Sequence, residues 1–198
     1  MFQRTLYQRL LLINPTPQSS AAAKQITENV DVLGHGKMIP SFAKLHWQPS
    51  RPLKPEDMHD LDIDFSQYSH IMSTHDASGK GLLPRLGAIL NKSMVSDVTQ
   101  IHASNEFTRL MFAGNVVSKV KANSDQVIVT IRPTAFPAET LSPSKSPTAL
   151  SMKQERVVTV NVEQSGGDRP ELGAAKVVVS GGRALKTKED FDRLFRLT

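Results

Sequence analysis

The sequence has no cysteine, few aromatic residues and no long apolar run. The absence of cysteine in all 198 residues excludes disulfide bonds, thiolate metal sites and cysteine nucleophiles. No stretch approaches the ~20 apolar residues of a membrane-spanning helix. One tryptophan and two tyrosines offer little surface for stacking bases, and most Lys and Arg residues alternate with acids, so nucleic acid is not an expected partner.

Acidic residues are missing from the first 27 residues, which carry Arg4, Arg9 and Lys24 and so three of the five net positive charges. An acid-free start with Arg, Ser and scattered apolar residues is typical of a mitochondrial presequence. Residues 1–18 are therefore a candidate presequence. The alternative is that Leu10–Ile13 forms the first core strand, and both hold if the presequence ends before that strand.

The hydrophobic pattern of the first half predicts alternating strands and helices. A helix is expected over Ser20–Val30, ended by Gly34 and Gly36. Further on, the pattern predicts a strand over Tyr68–Ser73, a glycine turn at Gly79–Gly81 and a helix over Leu82–Leu90 with Pro84 in its first turn. A strand, turn and helix in this order are typical of an α/β domain.

At the start of the second half, the sequence pattern predicts strands. Phe107–Phe112, Val116–Val120 and Val127–Arg132 are strand-like and separated by turn residues, which predicts consecutive antiparallel hairpins. The proline-rich segment Pro133–Pro147 predicts a loop, and Arg156–Val162 predicts a returning strand.

A second domain is predicted near the end of the chain. Ser165–Pro170 is typical of a linker, which gives an N-terminal domain over residues 19–164 and the start of another over 165–198. Lys176–Val179 predicts a strand buried on both faces of a parallel sheet. Thr187 is a suitable N-cap for a helix whose apolar stripe would consist of Phe191, Leu194 and Phe195.

No catalytic constellation is found, so an enzyme is not expected. The glycines at 79 and 81 resemble a dinucleotide fingerprint, but Pro84 replaces the third glycine and no acidic residue is suitably placed. Val178 stands where a nucleophile elbow around Ser180 needs glycine.

Two stretches place acidic or histidine residues at a spacing that could bind a metal ion, but each lacks a residue that such a site needs. Asp60–Asp64 spaces its carboxylates as a calcium loop would, but Phe65 takes the glycine position. His70, His75 and Asp76 lie close together without a further ligand in view, a pattern more typical of hydrogen-bonded or surface residues.

One candidate remains, the glycine-containing segment Val177–Arg183. A turn that follows a parallel strand offers backbone N–H groups to an anion, and the guanidinium of Arg183 suits a phosphate or flavin ring oxygens. The alternative is a plain connection between strand and helix with a surface arginine. Spacing alone leaves both open.

Five segments resemble the alpha subunit of electron transfer flavoproteins, in that family's order and spacing, between Tyr68 and Leu197. They are Gly79–Arg85, Met94–Asp97, Phe107–Asn115, Thr130–Phe136, and Asp168–Leu172 continued by Lys176–Arg183. The resemblance implies an α/β fold: a Rossmann-like N-terminal domain with added antiparallel strands, then the first β–α unit of a flavodoxin-like or DHS-like FAD-binding domain.

The resemblance also implies a function. In this family the alpha subunit pairs with a beta subunit in the mitochondrial matrix and holds FAD. The heterodimer is an electron carrier in fatty acid beta-oxidation, taking electrons from acyl-CoA dehydrogenases and related dehydrogenases and passing them to a membrane quinone oxidoreductase. The family's AMP lies in the beta subunit, which agrees with the incomplete fingerprint at Gly79.

The resemblance makes Arg183 the FAD-contacting residue, although Ala184 stands where the family usually has glycine. Later FAD-binding segments of the family have no counterpart in this chain. One charge-assisted contact contributes about 1.5–3 kcal/mol, whereas submicromolar binding needs more than about 8 kcal/mol. We therefore expect the chain alone to fray after about Gly166 and to bind no FAD. The alternative function is a flavin-free interaction module that docks on the beta subunit, or a non-functional fragment.

Overall fold

The structure is a computed structural model that describes residues 8–153, 157, 160, 161, 163, 172 and 175–196. The chain divides into two compact units, Met1–Val157 and Val158–Thr198. The described part of the first unit contains two α-helices, α1 (Pro17–Lys24) and α2 (Ala77–Leu90), and short 3-10 turns. Its strands are β1 (Leu10–Ile13), β2 (Val30–Leu33), β3 (Met38–Pro40), β4 (Leu45–Pro49), β5 (His70–Thr74), β6 (Met94–Ala103), β7 (Glu106–Met111), β8 (Val116–Lys121), β9 (Val127–Ile131), β10 (Leu141–Pro143) and β11 (Thr148–Leu150).

Nine of these strands form one sheet in the order β11-β4-β2-β1-β5-β9-β6-β7-β8. All neighbours from β11 to β6 are parallel, and β6, β7 and β8 continue the sheet as antiparallel neighbours. β10 and β3 form a separate antiparallel pair. The expected Rossmann-like α/β fold with added antiparallel strands is confirmed for this unit.

The core lies on both faces of the sheet, and β1 is the middle strand of the parallel part from β11 to β6. All four side chains of Leu10–Ile13 are fully buried, as a central parallel strand requires. Leu10 and Leu12 pack in the cluster that contains Ala22 of α1, whereas Leu11 and Ile13 pack in the cluster that contains Leu83 of α2. The strand predicted at Leu10–Ile13 is therefore confirmed.

The first helix ends earlier than the sequence suggests. Thr16 caps α1 by accepting a hydrogen bond from the Ser19 backbone N–H at 3.1 Å, and the helix ends at Lys24. The predicted extension to Val30 is wrong, because Val30–Leu33 forms β2 and pairs with β1. The buried parallel pairing outweighs the weak helical spacing of Ile26 and Val30.

The second helix begins earlier than expected, and the predicted glycine turn is wrong. Asp76 caps α2 by accepting a hydrogen bond from the Gly79 N–H at 2.9 Å, so the glycines lie inside the helix. Pro84 consequently lies in the helix interior rather than in its first turn. A Cβ added at Gly79 would stand 1.9 Å from the Thr74 carbonyl oxygen, which indicates that glycine permits close approach of α2 to the end of β5.

The antiparallel strands are confirmed in part. β7 and β8 form the predicted hairpin. The second predicted hairpin is wrong, since β9 runs parallel between β5 and β6 instead of pairing with β8. All five side chains of β9 are buried, as expected for a continuous apolar run in the parallel part of a sheet. The predicted loop Pro133–Pro147 contains β10, whose pairing with β3 satisfies its backbone.

The second unit contains helix α3 (Lys188–Phe195). Thr187 caps it as predicted, accepting from the Asp190 backbone N–H at 3.1 Å. The buried strand predicted at Lys176–Val179 is wrong: the three valines are 80%, 55% and 38% exposed, because no described strand lies beside them to complete a ladder. The strand predicted at Arg156–Val162 lies largely outside the described residues, and the linker predicted at Ser165–Pro170 lies wholly outside them. No described helix is long and apolar enough to cross a membrane.

Candidate functional site

The loop Ser180–Arg183, which holds the predicted FAD contact, is exposed in the second unit. The Leu185 N–H donates to the Gly182 carbonyl at 3.1 Å and closes a turn around Arg183. A Cβ at Gly181 would meet the side chain of Leu185 at 2.1 Å, so this glycine lets the loop pack closely on its own unit. A Cβ at Gly182 would meet nothing within 4 Å, which leaves the backbone open to a ligand.

Most of the histidines and carboxylates considered as metal ligands have structural partners. His70 lies 2.7 Å from the Ser104 carbonyl oxygen, and its burial lowers the pKa of the imidazole. His75 Nδ1 lies 2.9 Å from Thr130 Oγ1. Asp76 caps α2, and Asp60 pairs with Lys153 at 3.2 Å. Across the described residues, no group of three or more His, Asp or Glu side chains could hold a metal ion.

A second candidate site lies in the first unit at the carboxyl ends of β5 and β9. We call it the Asp97 cluster, and its members are His75, Asp97, Arg109, Thr130 and Arg132. Three of the segments that carry the family resemblance meet here: the end of Met94–Asp97, the middle of Phe107–Asn115 and the start of Thr130–Phe136. Crevices beyond the carboxyl ends of parallel strands are the usual binding places of α/β sheets.

A bulge in β6 positions the central carboxylate. Asp97 has a φ of 59° and stands where the pairing of β6 with β9 shifts register between Val95 and Val98. Its backbone N–H donates to Thr130 Oγ1 at 3.1 Å, which holds the bulge against β9. Arg132 binds the carboxylate with two nitrogens, and its Nε lies 3.0 Å from Asp97 Oδ1. The bidentate pair fixes the orientation of both side chains.

The electrostatics of the cluster favour a charged Asp97 and a neutral His75. The hydrogen bonds from Arg132 hold the pKa of Asp97 below its ordinary value, and Asp97 in turn raises the pKa of Arg132. Burial lowers the pKa of His75, with further lowering by the charges of Lys80, Arg132 and Arg109 that the carboxylate of Asp97 partly offsets. The charged groups acting on His75 are thus three cations, Lys80, Arg109 and Arg132, and one carboxylate, Asp97.

The cluster opens into a cavity of about 440 Å³, lined by Asp97, Arg109, Arg132 and residues 110–114. Arg109 Nε is buried there without a hydrogen-bond partner. The turn Phe112–Gly114 has three consecutive positive φ values of 52°, 56° and 93°, and the Phe112 side chain is 74% exposed. Strained turns of this kind are common at functional sites. Guanidinium groups beside an exposed aromatic ring suit the recognition of an anionic or carboxylate-bearing group.

Comparison with known proteins identifies the family. A sequence model of the electron transfer flavoprotein domain matches residues 63–165, just over half of the chain. The chain belongs to the electron transfer flavoprotein family. The matched region includes the whole Asp97 cluster, whereas Arg183 lies beyond it.

Individual relatives of this chain are alpha subunits. The probable electron transfer flavoprotein subunit alpha, mitochondrial, of Caenorhabditis elegans is 38% identical over 133 residues, which is 66% of this chain and 40% of the relative. The mitochondrial alpha subunit of Arabidopsis thaliana is 35% identical over 153 residues, 68% of this chain and 42% of the relative. The alpha subunit of Pseudomonas aeruginosa is 29% identical over 199 residues, 92% of this chain and 64% of the relative.

These matches confirm the predicted alpha-subunit identity. The chain spans about 40% of the length of the two eukaryotic relatives. Sequence reasoning identified the family segments, but it did not single out Asp97, Arg109 or Arg132 as members of one site. The sequence did contain a signal for this site, because all three residues belong to segments that carry the family resemblance.

Proposed function

We propose that the chain acts as the alpha subunit of a heterodimeric electron transfer flavoprotein. In this role it is an electron carrier between acyl-CoA and other dehydrogenases and the quinone oxidoreductase of the respiratory chain, in fatty acid beta-oxidation. The match of residues 63–165 to the family supports this proposal most directly. The names of the eukaryotic relatives include "mitochondrial", which supports a location in the mitochondrion, and we propose the matrix.

FAD is the proposed cofactor, and Arg183 the proposed contact. The open backbone at Gly182 and the exposed guanidinium of Arg183 fit one polar contact to a phosphate or to a flavin ring oxygen. FAD, when bound, supplies the one- and two-electron chemistry of the carrier. Since one such contact contributes only about 1.5–3 kcal/mol, tight binding requires contacts beyond this loop.

A flavin-free module that docks on the beta subunit is the second candidate function. The contrast between the two units favours it, because the first unit has a closed core whereas Val177–Val179 are exposed. In this case the first unit would bind the partner subunit without holding FAD.

The proposed mitochondrial import bears on the start of the mature protein. The carboxylate of Asp31 is fully buried, and Arg9 pairs with it at 2.6 Å. The Arg9 carbonyl oxygen also accepts a hydrogen bond from the Ser69 N–H at 2.9 Å. Cleavage after residue 18 would remove β1 together with this pair and leave an uncompensated buried charge. We therefore place any cleavage before Arg9, which the N-terminal sequence of the mature protein would test.

Coexpression of the full chain with its beta subunit distinguishes the two functions. We expect the chains to copurify with flavin absorbance, and we expect Arg183→Ala to lower the flavin content while the matched loop variant Lys186→Ala does not. Copurification without flavin would support the module. Failure of the chains to associate would contradict both.

A further inference from the structure

A second cavity of the first unit lies next to the separate β3–β10 pair and the start of β4. Its volume is about 230 Å³. Two stretches far apart in sequence form its walls, Ile39–His46 and Ser142–Ser146. The Ser144 N–H donates to the Lys37 carbonyl at 2.8 Å and the Lys44 N–H donates to the Val30 carbonyl at 2.8 Å. These bonds fix both walls, so the cavity is preformed.

The polar groups of the lining are cations and hydroxyls, without a carboxylate. The lining contains two lysines, one histidine and four serines: Lys44, Lys145, His46, Ser41, Ser142, Ser144 and Ser146. Neither lysine forms an ion pair with any described residue, and none of the four hydroxyls has a hydrogen-bond partner in the described part of the chain. Ammonium and hydroxyl donors that converge without an acid are suited to an anion with several oxygens.

His46 braces the base of this cavity. The side chain is 2% exposed, and its Nε2 lies 2.9 Å from the Gly34 carbonyl oxygen. Its Nδ1 has no exposed surface, which puts it out of a ligand's reach. The donors available to a ligand are therefore the ammonium groups of the two lysines and the four serine hydroxyls.

We propose that this cavity binds a phosphate group, either free phosphate or a small phosphate monoester. Phosphate has several oxygens that can accept hydrogen bonds from the two ammonium groups and the serine hydroxyls. Pockets for drug-sized ligands measure about 300–1,000 Å³, so a cavity of about 230 Å³ suits a molecule smaller than a nucleotide. The cavity shares no lining residue with the Asp97 cluster, and its proposed ligand does not depend on the proposed flavin function.

Titration of the full chain with inorganic phosphate tests the proposal, followed by the amide chemical shifts in NMR spectra at constant ionic strength. We expect saturable shifts at Lys44, His46 and Ser142–Ser146. The double variant Lys44→Gln/Lys145→Gln should weaken binding at least tenfold. The matched control is Lys119→Gln, which removes a lysine from β8 at the opposite edge of the sheet and should leave binding unchanged.

A parallel titration with glycerol phosphate separates the two sources of the ligand. Equal affinities would assign the site to free phosphate, and at least tenfold tighter binding of the monoester would assign it to a phosphorylated metabolite. Unchanged phosphate affinity in the double variant, or shifts spread over all lysines, would overturn the site.

Discussion

The strands of the first unit and the valine run of the second have similar sequences and different environments. Leu10–Ile13 and Val177–Val179 are both short apolar runs that predict a buried parallel strand. The first is fully buried between β2 and β5, whereas the valines are between 38% and 80% exposed. An apolar run becomes a strand only where neighbouring strands provide hydrogen bonds and packing. An unpaired strand would leave its backbone groups without hydrogen bonds and its apolar side chains exposed.

The comparison can be tested one unit at a time. The chain has one tryptophan, Trp47, which lies in β4. Its fluorescence therefore reports unfolding of the first unit, and amide hydrogen exchange in α3 reports the second.

The largest expected effect is at the centre of the sheet. Leu12→Ala should lower the free energy of unfolding of the first unit by about 3 kcal/mol, since it leaves a cavity beside fully buried neighbours. Val178→Ala, at an exposed position, should change the free energy of unfolding of the second unit by less than about 0.5 kcal/mol. Urea unfolding followed by Trp47 fluorescence measures the first effect, and amide exchange in α3 measures the second. Equal effects would show that burial does not distinguish the two runs.

The next effect concerns two glycines. Gly79→Ala should destabilise the first unit by about 2 kcal/mol, because the new methyl group would collide with a backbone oxygen 1.9 Å away that cannot move without shifting α2 or β5. Gly182→Ala has open space around it and should be nearly neutral. Thermal unfolding of both variants tests this difference, and a stable Gly79→Ala protein would contradict the close approach of helix and strand.

A smaller effect comes from the ion pair of the Asp97 cluster. Asp97→Asn should cost about 1 kcal/mol at pH 7, a value discounted for the partial exposure of Arg132. Because the folded-state pKa of Asp97 is lowered, this stabilisation is present above the ordinary carboxylate pKa and disappears as the pH falls through the lowered value.

Urea unfolding at pH 7 and at about pH 2 measures this loss. The difference in the free energy of unfolding between the wild type and Asp97→Asn should be smaller at the lower pH. The exposed variant Asp62→Asn is the control in the same unit. In the second unit the Asp190–Arg193 pair, at 3.7 Å and more exposed, should contribute less than about 0.5 kcal/mol when removed by Arg193→Gln. A pH-independent effect at Asp97 would exclude the ionic origin.

The smallest effects concern the two threonine caps. Thr16→Ala should reduce the stability of the first unit by about 1 kcal/mol, since Thr16 caps a helix packed on the core. Thr187→Ala should speed amide exchange in α3 by a few-fold. It should leave unchanged the unfolding transition of the first unit, as followed by Trp47 fluorescence. A shift of that transition by Thr187→Ala would mean that the units unfold together.

Local signals in the sequence were sufficient for part of the fold. The apolar runs of β1, β7 and β8 and the cap at Thr187 were predicted correctly, because each depends on a run or a residue type within a few positions. β6 was missed because its polar composition obscures the strand pattern, and β2 was missed because its first residue, Val30, fits a helical spacing as well as a strand.

The sites were less accessible to sequence reasoning. The local pattern identified Arg183 as a candidate anion contact and left a plain turn open as the alternative, and the family resemblance then made it an FAD contact, which is a proposal. The Asp97 cluster could not be assembled in advance, since Asp97 and Arg132 meet only because β9 lies beside β6, and the hairpin pattern predicted another neighbour for β9. Long-range strand order is the information that local spacing lacks.

The position of β9 has a further consequence for a chain emerging from the ribosome. β5 and β6 are neighbours of β9 but are synthesised before the β7–β8 hairpin, and β9 follows it. Until Val127–Ile131 has left the exit tunnel, β5 exposes an unpaired edge and the β6–β8 ribbon has no strand to join. Such open edges attract other chains. The nascent protein should therefore depend on chaperones most strongly in the interval between synthesis of Thr74 and synthesis of Ile131.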